Sequence, residues 1–283
     1  MKSSKLGAVG LSAAGLFALS TLAFSTHAQA ENTVWLPAPG SGTIALSYVS
    51  QSADRFYIGP SLMSLPFGTI KQKTTTLSGQ YSIIDGLAVD AQLPFARRTS
   101  GLGSDSGTGD ARLGVTYRFV DEFESKSVPT VAVRAGAIFA GNYQTQRPDS
   151  IGDGASGYEV SVLVGKYITQ SFGVHGELGI RDRNRGVPND TFVSVGADYR
   201  ITPALVASVG YLNSRKSGGL DIGGPGFTPA RFQQVAEKRG VVSAGLGYAV
   251  TSRVAVSLNF GKVTSGRNTS KSDIFGLGVS FDL

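Results

Sequence analysis

From Ala111 to Phe119 the side chains alternate: Ala111, Leu113, Val115, Tyr117 and Phe119 are apolar, and Arg112, Gly114, Thr116 and Arg118 lie between them. A period of two belongs to an extended strand, whose successive side chains point to opposite faces. One face ends in a Tyr-x-Phe pair; the other sets two arginines beside glycine and threonine. Such a strand suits an element with lipid on one side and a polar lumen on the other. The pattern recurs along the chain and constrains the fold more than any other feature. Strands in hydrocarbon need every backbone N–H and C=O paired, and a sheet closed on itself achieves this.

The N-terminus carries an address. Lys2 and Lys5 precede an apolar run from Leu6 to Phe24, followed by Ser25-Thr26-His27-Ala28-Gln29-Ala30. This is the pattern of a secretory signal peptide over 1–30, cleaved after Ala30. Removing Lys2 and Lys5 lowers the formal charge from +6 to +4, a mild and scattered excess. Export and the lack of a basic cluster argue against a nucleic-acid partner. The chain has no cysteine, so disulfides contribute nothing in the oxidising compartment it enters. No stretch after residue 30 approaches the roughly 20 apolar residues of a spanning helix, which leaves the barrel as the way across a bilayer. The 38 glycines follow no collagen period and fit tightly turning strands and a crowded lumen.

The expected fold is an all-β, transmembrane, antiparallel up-and-down barrel over 43–283. Residues 31–42, with Trp35, Pro37 and Pro39, read as a periplasmic leader. Trp35 is expected to anchor at the inner membrane interface, with a leader tucked into the lumen as a partial plug as the alternative. Strands are expected at 43–49, 71–82, 87–95, 111–119, 131–139, 158–168, 172–181, 192–201, 205–212, 241–250, 254–260 and 275–283. Twelve is an even number and puts both termini on one side. Tight turns at 169–171, 202–203 and 251–252 contrast with long connections at 97–109, 141–156 and 214–239, and the 121–129 turn is a long exception. The last connection could fold inward as a constriction or stay outside as a contact surface.

Aromatic residues on the apolar face cluster at strand ends. Tyr81, Tyr117, Phe119, Phe172, Tyr199, Tyr248 and Phe281 lie at the short-turn end; Phe95, Phe139, Tyr158, Tyr211, Phe260 and Phe275 lie at the long-loop end. Two aromatic girdles around an aliphatic band distinguish a barrel in lipid from a soluble sandwich, whose largest rings would sit centrally. The final strand, Phe275 to Leu283, should close the sheet against the first and be read by the outer-membrane assembly machinery. Its terminal residue is Leu283, where such strands usually carry an aromatic; the nearest ring is Phe281.

The Gly-x-Gly-Asp-x-x-Leu-Gly-x-x-Tyr-Arg-Phe run at Gly107 to Phe119, the Trp35 and Pro37 leader and the amphipathic ending resemble the outer-membrane family named for the meta-pathway of phenol degradation. The resemblance implies a transporter that passes small solutes, aromatic or hydrophobic compounds among them, through the outer membrane of a Gram-negative bacterium. Its partners would be outer-membrane lipid and a small-molecule solute.

By parity the lumen face carries Asp90, Gln92, Arg112, Arg118, Arg134, Glu159, His175, Glu177, Arg181, Asp198, Arg200 and Asn259. They are the expected pore lining, with an ion-pair network filling a narrow, non-conducting barrel as the alternative. Barrel lipid hydrolases need a general base near the outer rim, facing lipid. His175 is the one histidine after the signal, and alternation turns it inward beside Glu177 near mid-height. No catalytic residue and no enzyme activity are therefore expected. No metal or other cofactor is expected either: Asp149-Ser-Ile-Gly-Asp153-Gly154 lacks the spacing of a calcium loop and reads as a solvated outer turn. Gly107-x-Gly109 opens a strand rather than a helix and is no dinucleotide fingerprint.

Overall fold

A computed structural model of the chain describes residues 33–65, 68–124, 127–147 and 149–283. The export signal over 1–30 and its cleavage after Ala30 fall outside the described residues. Twelve antiparallel strands close into a barrel: β1 (Gly42–Ala53), β4 (Ile70–Ile84), β5 (Leu87–Ser100), β7 (Ala111–Val120), β8 (Thr130–Phe139), β9 (Gly157–Tyr167), β10 (Phe172–Arg183), β11 (Asp190–Arg200), β12 (Leu205–Lys216), β13 (Lys238–Ala249), β14 (Val254–Arg267) and β15 (Asp273–Asp282). Each expected strand is present. Closure runs through β1, which pairs with β15 from Thr43↔Asp282 to Ser52↔Asp273 and with β4 on its other edge.

The two faces separate as alternation demands. Leu113 is 53% exposed and Val115 45%, whereas Arg112 is 4% and Thr116 1%. A sandwich would bury the apolar set; here the apolar set faces out, where only lipid can cover it. The Asp85–Gly86 turn between β4 and β5 is tight because Gly86 adopts φ +73. A Cβ there would also stand 2.8 Å from the Arg118 carbonyl oxygen.

Three features depart from the sequence reading. Several strands run past their expected ends at the long-loop end: β5 to Ser100, β12 to Lys216, β14 to Arg267. The outward face there need not be apolar, so the alternation fades while the hydrogen-bond ladder continues. The connection after β5 is a continuing hairpin, with β6 (Gly103–Thr108) folded back on β5. The 54–69 connection carries a small hairpin, β2 (Arg55–Ile58) and β3 (Ser61–Ser64). Phe56 of β2 and Ile70 pack on Phe232 from the 217–237 connection, with Leu65, Ile222 and Phe227 around them. That connection also holds a short 3-10 turn, Pro229–Gln234. The cluster builds a cap over the long-loop end.

Candidate functional site: the barrel lumen

Glu159, on β9, is the hub of a buried ion-pair ladder. It accepts from Arg112 of β7 (3.3 Å), from Arg181 of β10 (Nε to Oε2, 3.0 Å) and from Arg134 of β8. Arg134 in turn grips Asp90 of β5 with both tines, Nε to Oδ1 at 3.0 Å and Nη2 to Oδ2 at 2.7 Å. Asp90 lies two strands away, across Gly114 of β7. A Cβ on Gly114 would stand 2.5 Å from Arg134 Nη2 and 2.7 Å from Asp90 Oδ1, so the glycine is the floor on which the guanidinium lies. Arg181 continues the ladder to Asp190 of β11 at 3.0 Å.

The loop-end mouth is held by a second set. Asp153, from the 140–156 connection, meets Arg183 of β10 at 2.5 Å and Lys216 of β12 at 3.2 Å. Asp149, Ile151 and Ala155 of the same connection are buried. The solvated turn expected around Asp149 and Asp153 is therefore wrong: the connection folds inward because cations on two strands draw Asp153, while Arg147 of the connection itself holds Asp149. Tyr143 ties it down further, donating to Asp110 Oδ1 at 2.6 Å and accepting the Gly154 N–H at 2.6 Å. Burial raises the Asp110 carboxyl above its ordinary range and pushes the Tyr143 phenol far up. Glu237, at the end of the 217–237 connection, is also raised by burial, against the pull of Arg239 and Lys216. The tip of that connection stays exposed, while Phe232 packs in the cap and Glu237 turns to Arg239.

At the opposite end the leader enters the barrel. Val34 packs on the inward-facing Ala132 and Leu163. The Trp35 indole donates to Glu122 Oε1 at 2.8 Å and lies 4.6 Å from the Tyr167 ring. Anchoring of Trp35 at the membrane interface is thus overturned. The indole N–H has a buried carboxylate to bond, and Gly165 and Gly173 offer a seat without side chains. The long 121–129 turn supplies that carboxylate; Glu122 also accepts the Tyr167 N–H at 2.9 Å.

Of the expected lumen residues, Asp90, Gln92, Arg112, Arg134, Glu159, Glu177, Arg181 and Asn259 are buried inside. His175 sits near the turn end rather than at mid-height, 6.0 Å from the Trp35 ring, and pairs with Asp198 at 3.3 Å. Arg118 lies at the rim, on Asp85 (2.7 Å) and Asp121 (3.0 Å), and Arg200 is exposed at the end of β11. The girdle aromatics lie on the outside, all exposed except the half-buried Phe172. Sequence reasoning missed Glu122, Arg98, Asp153, Arg183, Asp190, Lys216, Glu237 and Arg239. For Arg98, Arg183, Asp190 and Lys216 the signal was present, since each continues the parity of its strand beyond the apolar band.

A closed barrel with an apolar outer belt and a charged lumen defines a transmembrane β-barrel of the outer-membrane type. The chain belongs to the family described as "Putative MetA-pathway of phenol degradation", which matches residues 42–281. No curated protein matches it in sequence. Among solved structures it is similar to the COG4313 outer membrane channel from Pseudomonas putida F1, at 15% identity and TM-score 0.75, covering 91% of this chain and 100% of that one. It is more distantly similar to the NanC porin (13% identity, TM-score 0.52, 84% and 100% covered). The translocator domain of the autotransporter NalP from Neisseria meningitidis compares at 12% identity and TM-score 0.51, with 87% and 89% covered.

Proposed function

We propose that this barrel is a passive outer-membrane channel for small solutes, with aromatic or hydrophobic compounds as its cargo. The observation that carries the reading is the inward face: from β5 to β11 the strands present polar and charged side chains to a lumen no lipid reaches, as the wall of a solute path does. The family description, with its tie to phenol degradation, favours aromatic cargo. In the state described, the leader stands in the periplasmic mouth and the 140–156 connection in the outer one, so passage requires a path past both. The same ion-pair ladder favours a second reading, a rigid barrel that does not conduct.

Single-channel recording in planar bilayers separates the two. Discrete conductance steps are expected from the purified protein, together with liposome swelling in small aromatic acids that exceeds swelling in sugars of similar mass. Silence in every salt and at every voltage would leave the rigid barrel.

A further inference from the structure

At the loop-end half of the lumen, the wall changes chemistry from one strand to the next. Phe192, Leu212, Val241, Val263, Ile274 and Val49, on six consecutive strands of the barrel, form one buried apolar cluster that faces inward. It meets the ion-pair ladder at Phe192, whose ring centre lies 5.1 Å from the Arg181 guanidinium carbon. Arg239 stands on β13 two residues before Val241, opposite Ser214, as Val241 stands opposite Leu212.

Arg239 is 1% exposed. Its Nη1 donates to Glu237 at 3.4 Å, but Nε and Nη2 have no hydrogen-bond partner among the described residues. These two N–H groups share one edge of the guanidinium, the edge that takes a carboxylate with two parallel bonds. The chain uses that edge elsewhere: Arg134 on Asp90, Arg147 on Asp149 and Arg267 on Asp221. In each case the chain supplies the carboxylate. At Arg239 the edge is buried, charged and unused, an arrangement that costs free energy until an acceptor arrives.

The charges nearby leave room for one. The carboxylates that face Arg239 are Glu237, Asp190 and Asp153. Each is engaged: Glu237 by Arg239 itself, Asp190 by Arg181, Asp153 by Arg183 and Lys216. None of the three has a place left for the open edge of Arg239.

We propose that Arg239 is the carboxylate-binding residue of a solute site in the outer half of the lumen, and that its ligand class is small monocarboxylates with a flat apolar body, such as aromatic acids. This rests on the channel reading and names its solute. The carboxylate takes Nε and Nη2, and the hydrocarbon body enters the apolar cluster beside Val241 and Leu212, which pack on one another until it parts them. A neutral alcohol of the same shape leaves the guanidinium edge without its ionic partner, and a short acid such as acetate leaves the apolar wall uncovered.

Calorimetric titration of the full-length, detergent-purified barrel with benzoate, benzyl alcohol and acetate tests this, with planar-bilayer recording on the same preparation. Benzoate is expected to bind at least tenfold more tightly than either of the others. Arg239→Gln should weaken benzoate at least tenfold and leave benzyl alcohol unchanged. Arg239→Lys, which keeps the charge but not the fork, should recover less than half of the lost affinity on a logarithmic scale. Leu212→Ala should weaken benzoate and spare acetate. The heat-dependent electrophoretic shift of a folded barrel qualifies each variant. Equal benzoate binding by the natural chain and folded Arg239→Gln, or full recovery with lysine, overturns the site while channel steps keep the channel reading intact. Loss of the channel reading shows instead as silent bilayers, whatever the calorimeter reads.

Discussion

The lumen wall from β5 to β11 and the wall from β11 through β15 to β1 are built on the same alternating strands, yet their inward faces follow different physics. The first presents Asp90, Arg112, Arg134, Glu159, Arg181 and Asp190, each with charge partners across the strands. The second presents Phe192, Leu212, Val241, Val263, Ile274 and Val49, which pack on one another as a small core does. Within the membrane belt the outward faces of both arcs are apolar. Lipid imposes one requirement around the whole circumference, whereas nothing outside the barrel dictates the lumen, so its two arcs were free to diverge. A solute in the outer lumen meets charge on one side and hydrocarbon on the other.

Substitutions in each arc should separate these two kinds of cohesion. Arg134→Leu leaves Asp90 buried without its two-pronged partner and removes one of the three arginines around Glu159. It should cost about 3–5 kcal/mol of unfolding free energy, read by reversible guanidinium unfolding in micelles. Pairing it with Asp90→Leu should recover a large part; equal losses for the single and double variants would deny that charge pairing holds this arc. In the other arc, Leu212→Ala should cost about 2–3 kcal/mol by the same measurement, the range for opening a cavity among packed aliphatic side chains. A loss below the scatter of the method would mean that the apolar arc contributes no packing.

Smaller effects are expected at the two mouths. Gly165→Val would place a Cβ 2.9 Å from Trp35 Cζ2 and displace the leader. It should cost about 1 kcal/mol and enlarge the single-channel step; an unchanged step would show that the leader does not obstruct the path. At the outer mouth, burial raises the carboxyls of Asp110 and Glu237. A group whose folded value is raised lends stability below its unfolded value, near pH 4, and loses it as pH climbs through the raised one. Protease should therefore cut the 140–156 and 217–237 connections faster at neutral than at mildly acidic pH, after correction for the protease's own pH profile. The opposite trend would assign their docking to Asp153 and its cations alone.

Much of this molecule was legible in its sequence. Alternation located all twelve barrel strands, because a period of two with lipid on one face cannot slip by one residue without putting arginine into hydrocarbon. The same parity placed Asp90, Arg134 and Glu159 inside. It could not say that Glu159 would gather three arginines, since that depends on which strands become neighbours and on glycines at 114 and 136 that clear the space. Strand ends beyond the apolar belt were read short, and with them went Arg98, Arg183, Asp190 and Lys216. Trp35 was misplaced for a different reason: a tryptophan beside a membrane has a general preference for the interface, and nothing local announces that Glu122, 87 residues on, will accept its N–H. The inward fold of the 140–156 connection was hidden in the same way, in cations on β10 and β12.

The chain by itself determined which side of each strand meets lipid and how many strands there are, because solvent preference acts on every residue separately and leaves a periodic record. Only the tertiary structure decided what the lumen contains. Whether a buried arginine finds an acid, a glycine or an empty edge is a property of strands brought together from far apart, and no local pattern encodes it.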